Sequence, residues 1–264
     1  PAPRHRGDTR CADIPPWMPA NYDPANMSDK PAYIRSRPRL PARFTAGLPL
    51  TIKCESLLAV DEWLGRVVLQ LGAQGRLANT LFVLTGDNGM DWGALRHYGK
   101  STPHSTPLPL FMAWPGVSDS GLTQTDRLLA NVDLAPTLCE IAGCVLGPYP
   151  NGHAVDGQSF AGLVAPLLFS SVPARDSILL EHLGTGEAPV WRAILTDTRH
   201  QLGRQFLYIT YDTGERELYR VGRTPCHQWT PGQVSDPCML KNLARLARYG
   251  TIRRMLAREL DREW

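Results

Sequence analysis

The segment Gly86-Asp87-Asn88-Gly89 places an aspartate and an asparagine side by side, directly after an apolar run. Carboxylate and amide oxygens are hard ligands, which suit Ca²⁺ or Mg²⁺ better than Zn²⁺. Asn-Gly is also a common turn, in which the preceding aspartate bonds to nearby backbone. A turn accounts for this tetrapeptide by itself, so Asp87 and Asn88 become candidate metal ligands only if other segments support them.

A lysine follows thirteen positions after Asp87, between the polar residues of segment 97–103. A lysine near a divalent cation can bind an anionic ester as a point charge, which makes Lys100 a candidate catalytic residue. His97 and His104 lie on either side of it, and either could donate a proton to a leaving group. The competing interpretation is a solvated surface lysine with two hydrogen-bonded loop histidines. A phosphate-binding loop is rejected, because the earlier glycine that this motif needs before Gly99-Lys100-Ser101 is absent.

The elements around these residues indicate an α/β arrangement. The run 79–85 is short and apolar on both faces, which is typical of a buried parallel strand, and 109–114 is a second such run. In open α/β sheets ligands bind at the carboxyl ends of strands, where Asp87 and Asn88 stand. Apolar positions at steps of three and four residues predict helices over 53–75 and 131–142.

Both ends of the chain differ from this middle part. Residues 1–50 hold ten of the 23 prolines, which predicts a segment that wraps over a domain surface. We expect the α/β part to occupy 51–174. Short strands over 177–181, 190–196, 204–210 and 217–219, followed by a helix over 251–264, predict a small antiparallel subdomain at 175–264.

Composition excludes several classes of protein. With 28 basic and 25 acidic residues the net charge is +3, which is too small to indicate binding to nucleic acid or to a membrane surface. Six cysteines show no C-x-x-C pair and no zinc-finger spacing, so buried free thiols are the favoured interpretation. Cys226 and Cys238 flank a loop rich in proline and glycine and could pair in an exported protein.

Read in order, these segments resemble the second half of the sulfatases, which belong to the alkaline-phosphatase-like superfamily. The resemblance spans roughly 52–260, and its main pieces are 79–89, 99–102, 107–116, 131–138, 156–159, 214–219 and 241–244. Segments 3–7 and 28–31 look closest to sulfatases of the glucosamine-6-sulfate type. The resemblance implies part of a mostly parallel sheet with flanking helices, plus a small C-terminal antiparallel sheet with a helix.

The resemblance also implies roles for the candidate residues. Asp87 and Asn88 would be two ligands of a Ca²⁺ cofactor, and Lys100 would contact the sulfate. A histidine, with His97 and His104 as candidates, would protonate the departing alcohol after a formylglycine attacks sulfur. The expected substrate is a sulfated carbohydrate or an aryl sulfate, with no nucleic-acid or membrane partner. The family resemblance points to an exported, lysosome-like or periplasmic location, and the sequence leaves the compartment open.

The sequence departs from the family pattern in two places. It contains no C/S-x-P/A-S-R motif from which formylglycine is made, and no adjacent Asp-Asp pair. We therefore predict the C-terminal portion of a sulfatase, inactive alone, whose partners are its missing N-terminal half or a second copy. Two alternatives stay open: a phosphodiesterase or phosphonate hydrolase on the same scaffold, and a non-catalytic remnant that acts as a binding module.

Overall fold

The computed structural model describes residues 1–14, 18–41, 48–118, 121, 127–184, 188–222 and 224–263. Its α-helices are α1 (Ala32–Arg35), α2 (Leu48–Ala73), α3 (Leu134–Ala142), α4 (Ala161–Val164) and α5 (Gly250–Glu263). Its strands are β1 (Phe82–Thr85), β2 (Asp91–Trp92), β3 (Tyr98–Gly99), β4 (Leu110–Ala113), β5 (Ser177–His182), β6 (Trp191–Thr196), β7 (Leu207–Tyr211) and β8 (Arg216–Tyr219). None of the described helices is long and apolar enough to cross a membrane.

The helices predicted from apolar spacing are present with shifted ends. Helix α2 begins five residues before the predicted range, at Leu48, and ends at Ala73. The range 131–142 forms a 3₁₀ turn followed by α3. Gly143 ends α3 with a φ of 72°, a left-handed conformation that glycine adopts without a Cβ penalty. The last residue of the predicted C-terminal helix, Trp264, lies outside the described residues.

The first pair of strands runs in the opposite sense to the prediction. Strands β1 and β4 pair antiparallel, with Phe82 opposite Ala113 and Thr85 opposite Leu110. A parallel pair needs a crossover connection, usually a helix, whereas segment 86–109 returns through the small antiparallel hairpin β2–β3. All strand pairs among the described residues are antiparallel, so the expected parallel strands are not found here.

Apolar side chains remain exposed on α2 and on the β1–β4 pair. The exposed fraction is 63% for Trp63, 74% for Leu69 and 64% for Phe111. Val83 and Leu84, predicted to be buried on both faces, are also exposed. Among the described residues, α2, β1 and β4 thus leave large apolar side chains uncovered.

The C-terminal antiparallel sheet is confirmed, and it carries most of the core. Strands β5 to β8 pair in sequence order. One face packs around Trp191 and Tyr219. The other face packs around Ile194 and Tyr208, where Leu256 and Leu260 of α5 cover it. The alternation of buried residues to the two faces follows the period of a strand, which is why the sequence pattern identified these elements.

A buried carboxylate joins α3 to the chain that follows it. Asp133 is fully buried and accepts hydrogen bonds from the backbone N–H groups of Ala130 and Gln158, each at 2.8 Å. The guanidinium of Arg175 donates to the same carboxylate through two nitrogens. These bonds satisfy the buried charge and place the segment before β5 against the start of α3.

The opening segment is attached to α2. Arg4 Nη2 lies 2.6 Å from Glu62, and the backbone N–H of Gly7 donates to Glu55 at 2.7 Å. Cys11 and Cys54 form a disulfide between the same two parts. Residues 15–17 and 42–47 of the predicted surface-wrapping segment lie outside the described residues.

All six cysteines are paired, so the interpretation as free thiols is wrong. The bonds are Cys11–Cys54, Cys139–Cys144 and Cys226–Cys238, and the last of these is the pair that the loop between them suggested. The other two bonds depend on which cysteines the fold brings together, and no pattern in the sequence indicated them.

Replacing both Cys11 and Cys54 by alanine is expected to lower the free energy of unfolding by about 2–4 kcal/mol, because the bond closes a long loop and restricts the unfolded chain. The bond joins residues 43 apart, whereas Cys139 and Cys144 are only 5 apart. The double alanine variant of that short pair is the matched control and should lose less. Urea unfolding without reductant measures both, and an equal loss in the two variants would contradict the prediction.

Candidate functional site

Two of the sequence-predicted residues meet at the end of β1. Lys100 Nζ donates a hydrogen bond to Asn88 Oδ1 at 2.9 Å. Asn88 lies three residues beyond Thr85, the last residue of β1, and Lys100 directly follows β3. The hairpin β2–β3 therefore brings two polar side chains, twelve positions apart, to one point at the edge of the sheet.

Asp87 and Asn88 do not by themselves complete a calcium site. The Asp87 carboxylate accepts the backbone N–H of Asn88 at 2.9 Å, and the amide oxygen of Asn88 already accepts from Lys100. Ca²⁺ takes about six to eight oxygen ligands, and this pair offers few. Within the described ranges no group of three or more His, Cys, Asp or Glu residues could hold a metal ion.

The turn of the hairpin is held by the N-terminal segment. The backbone N–H of Leu95 donates to Asn21 O at 2.8 Å, and the N–H of Asp23 donates to Gly93 O at 3.0 Å. Arg96 Nη2 donates to Pro24 O at 2.7 Å. Leu95 and Arg96 have φ values of +47° and +61°, a left-handed backbone that costs energy in residues with a Cβ. The contacts to segment 21–24 offset that cost and hold the turn closed.

Gly93 is required in this turn for two reasons. Its φ is +95°, and a Cβ built there would lie 2.2 Å from the ring of Tyr22. Only glycine lets the hairpin approach the N-terminal segment this closely.

A buried aspartate holds the chain on the far side of Lys100. The Thr102 hydroxyl donates a short hydrogen bond to the carboxyl group of Asp91 in β2. Asp91 is 3% exposed, and this burial raises its pKa to about 7, although the bond from Thr102 opposes the shift. The Asp91–Thr102 bond therefore joins both ends of the hairpin below the exposed Lys100 side chain.

The two candidate histidines lie deeper than Lys100. His97 is 4% exposed and packs beneath Gly99. His104 Nε2 is buried and has no hydrogen-bond partner in the described part of the chain. Burial, with smaller effects of Lys30 and His97, lowers the pKa of His104 to about 3. That imidazole is therefore neutral near pH 7, and the assignment of either histidine as a proton donor stays a prediction.

A tryptophan that no sequence pattern indicates holds the loop next to Lys100. The indole N–H of Trp191, in β6, donates to the backbone oxygen of Ser101 at 2.8 Å. Trp191 is 3% exposed and belongs to the core of the C-terminal sheet. This bond connects the residue after Lys100 to a rigid strand 90 positions away. No local pattern indicates such a contact, because a core tryptophan is explained equally well by packing.

Trp191→Phe keeps an aromatic ring in the core and removes only the N–H donor. We expect the amides of segment 98–105 to exchange with solvent about tenfold faster, while the β6–β8 amides keep their protection. Hydrogen exchange with mass spectrometry measures this directly. Trp229→Phe is the matched control, since its indole N–H donates to Ser235 O at 2.7 Å. Faster exchange throughout the sheet, or an equal effect of the control on 98–105, would show that the bond does not position the loop.

Comparison with known proteins adds independent information about this site. The protein-family model described as "Sulfatase" matches residues 13–144, which include Asn88 and Lys100. An arylsulfatase of Volvox carteri is 34% identical over 165 residues, 60% of this chain and 25% of the relative. An N-acetylglucosamine-6-sulfatase of Bos taurus is 32% identical over 136 residues, 50% of this chain and 23% of the relative. The chain thus spans about a quarter of the length of these relatives.

Solved structures with low sequence identity support the fold. A protein in complex with its substrate D-glucosamine-2-N,6-O-disulfate matches 81% of this chain and 40% of its own, with a TM-score of 0.60 and 23% identity. A phosphonate monoester hydrolase from Silicibacter pomeroyi matches 100% of this chain and 52% of its own, with a TM-score of 0.63 and 21% identity. These neighbours indicate an alkaline-phosphatase-like α/β fold. Because the family model also matches half of the chain, around the paired Asn88 and Lys100, this chain belongs to the sulfatase family.

Proposed function

We propose that this chain supplies the charge-stabilising part of a site that hydrolyses sulfuric esters. The observation that carries the proposal is the contact between Lys100 and Asn88 at the end of β1. The ammonium group has N–H donors besides the one used by Asn88, and the side chain is exposed. Lys100 is therefore free to direct a positive charge and hydrogen bonds at a sulfate group.

Hydrolysis of a sulfuric ester needs a positive charge such as that of Lys100. As the bond between sulfur and the ester oxygen breaks, negative charge moves to the departing oxygen and remains on the other sulfate oxygens. A fixed cation next to that group stabilises the transition state more than the free ester. The rigid loop around Lys100, held by Trp191 and the Asp91–Thr102 bond, fixes the position of that cation before substrate arrives.

The proposed site also needs a nucleophile, a metal ion and a proton donor. The 264 residues contain no motif that yields formylglycine, so the nucleophile comes from another segment, and this chain alone is inactive. We propose that Asp87 and Asn88 contribute to a Ca²⁺ site only together with ligands from outside the described residues. For the proton delivered to the leaving alcohol we favour His97 over His104, because burial holds the His104 pKa far below neutral pH.

A sulfated carbohydrate is the substrate class that we propose. One relative is an N-acetylglucosamine-6-sulfatase, and one structural neighbour was solved with D-glucosamine-2-N,6-O-disulfate. The second candidate is a phosphonate or phosphate diester, because a phosphonate monoester hydrolase shares the fold over the whole chain. A non-catalytic binding module is the third candidate. It would be favoured if a protein that combines this chain with a formylglycine-bearing segment hydrolysed none of these esters.

The exposed apolar surface supports a further part of the proposal. Trp63 and Leu69 of α2 and Phe111 of β4 are exposed apolar side chains, and we propose that the rest of a sulfatase domain, or a second copy of this chain, covers them. The three disulfides support an oxidising compartment, in agreement with an exported protein.

Lys100→Ala tests the proposed function in a protein that contains this chain together with a formylglycine-bearing segment. We expect kcat for glucosamine-6-sulfate to fall by about 10²–10³, because a preorganised charge is removed from the transition state. Lys241→Ala is the matched control, since that exposed lysine lies outside the site. Unchanged kinetics in the Lys100 variant would refute the assignment. Assays with a phosphonate monoester distinguish the second candidate.

The incomplete metal site leads to a separate prediction for the 264-residue chain. Calorimetry should give a dissociation constant for Ca²⁺ of about 10⁻³ M or weaker, because one carboxylate and one amide compete poorly with water. Asp87→Ala should abolish the residual binding. Submicromolar affinity for the chain alone would contradict this prediction and would mean that further ligands are present.

A further inference from the structure

A cleft lies beside the four-stranded sheet, separate from the proposed active site. Three parts of the chain line it: residues 29–31, the turn before and into β8 (214–216), and residues of segment 242–253. Its volume is about 470 Å³, and neither Asn88 nor Lys100 lines it. Sites for small molecules in proteins commonly have volumes of about 300–1,000 Å³. The cleft is therefore large enough for a sugar unit with its substituents.

The cleft carries an excess of arginine. Arg216, Arg245 and Arg253 line it. Arg253 donates to the backbone oxygen of Ala244, which fixes its guanidinium within the wall. Within the described residues no carboxylate lies in ion-pair contact with Arg216 or Arg245, and both side chains are exposed. Two guanidinium groups thus face the cleft with their donors uncommitted.

The two carboxylates of the cleft are already engaged by the protein. Asp29 binds Lys30 Nζ at 2.7 Å with one oxygen and the backbone N–H of Asn242 at 2.7 Å with the other. Glu215 accepts the backbone N–H of Ala32 at 2.8 Å. Neither carboxylate forms an ion pair with Arg216 or Arg245 within the described residues, and Lys30 with the three arginines outnumbers the two carboxylates, which leaves a net positive charge in the cleft. Each carboxylate oxygen keeps a lone pair that can accept a hydrogen bond from a hydroxyl group.

The hydroxyl of a buried tyrosine near Arg216 and Arg253 has no hydrogen-bond partner among the described residues. Tyr208 is fully buried, and its hydroxyl oxygen makes no hydrogen bond within the described part of the chain. Burial raises its pKa, and Arg216 and Arg253 are both close enough to act against that shift. Arg216 begins β8 opposite Thr210 of β7, so this arginine of the cleft wall lies at the end of the β7–β8 pair.

We propose that this cleft binds the sulfate groups of a carbohydrate chain at a point outside the active site. Arginine guanidinium groups match the oxygens of such tetrahedral anions through paired N–H donors. The carboxylate oxygens of Asp29 and Glu215 can accept hydrogen bonds from sugar hydroxyl groups. The same carboxylates would repel a nucleic-acid backbone, which is negatively charged and has no hydrogen-bond donors to offer them. The choice of a sulfated sugar rests on the proposed function, and the cleft would hold the chain while one of its units reaches Lys100.

The test uses the 264-residue chain and a heparin-derived hexasaccharide with N- and 6-O-sulfate groups. Binding is measured by calorimetry at two salt concentrations, with the desulfated hexasaccharide and oligothymidylate of similar charge as comparison ligands. The variant is Arg216→Gln/Arg245→Gln. The matched control, Arg258→Gln/Arg262→Gln, removes the same charge from exposed positions on α5 that do not line the cleft.

We expect the cleft variant to bind the sulfated hexasaccharide at least about tenfold more weakly, and the control to change affinity by less than about threefold, because only the cleft pair donates directly to the ligand. Equal losses in both variants, equal affinity for the desulfated sugar or for oligothymidylate, or no binding at all would overturn the proposal. Circular dichroism of each variant shows that the fold is kept.

The outcome is independent of the proposed catalysis. Suppose that a protein combining this chain with a formylglycine-bearing segment fails to cleave sulfate esters, and that the cleft variant of the 264-residue chain still loses sulfated-sugar binding. The proposed function is then wrong and the cleft site stands. If Lys100→Ala abolishes turnover while both arginine variants bind equally well, the catalytic proposal stands and the cleft site is wrong.

Discussion

The arrangement of the site depends on the closure of hairpin β2–β3. Asn88 and Lys100 are exposed polar residues that gain little by meeting in water, so their contact does not hold the loop. The loop is held from beneath, where segment 21–24 fixes a left-handed turn and the buried Asp91 binds Thr102. These buried bonds are worth more than the exposed one, because an unpaired polar group in the interior is costly.

The two sides of the molecule are packed to different degrees. The C-terminal sheet buries both faces, one around Trp191 and one beneath α5. On α2 and on the β1–β4 pair, by contrast, large apolar side chains such as Leu69 and Phe111 remain exposed. The proposed active site stands between them, attached to the well-packed side by Trp191. This arrangement gives Lys100 a rigid support, although the nearby β1–β4 pair leaves apolar side chains exposed.

The buried ionisable groups are of two kinds: one is charged and paired, and the others are held in their neutral forms. Asp133 has its charge fully matched by Arg175 and backbone amides, so it joins elements and presents nothing to solvent. Burial drives the pKa of His104 down and that of Asp91 up, and both shifts favour the neutral forms. Near the site, Lys100 stays exposed and can reach an anion. The arginine cleft also presents exposed cationic groups.

The sequence by itself determined the longer helices and six of the eight strands among the described residues, and it did not indicate the hairpin β2–β3. Periodicity predicted α2, α3 and the four C-terminal strands, and the motifs around Asn88 and Lys100 predicted the site and the family. These features are local, since they depend on side-chain spacing and on turn residues within a few positions. Only the tertiary structure decided the antiparallel sense of β1 and β4, the disulfides Cys11–Cys54 and Cys139–Cys144 and the bond from Trp191 to Ser101. Each of these joins positions that are brought together by the path of the chain, and residue type and local spacing do not report that path.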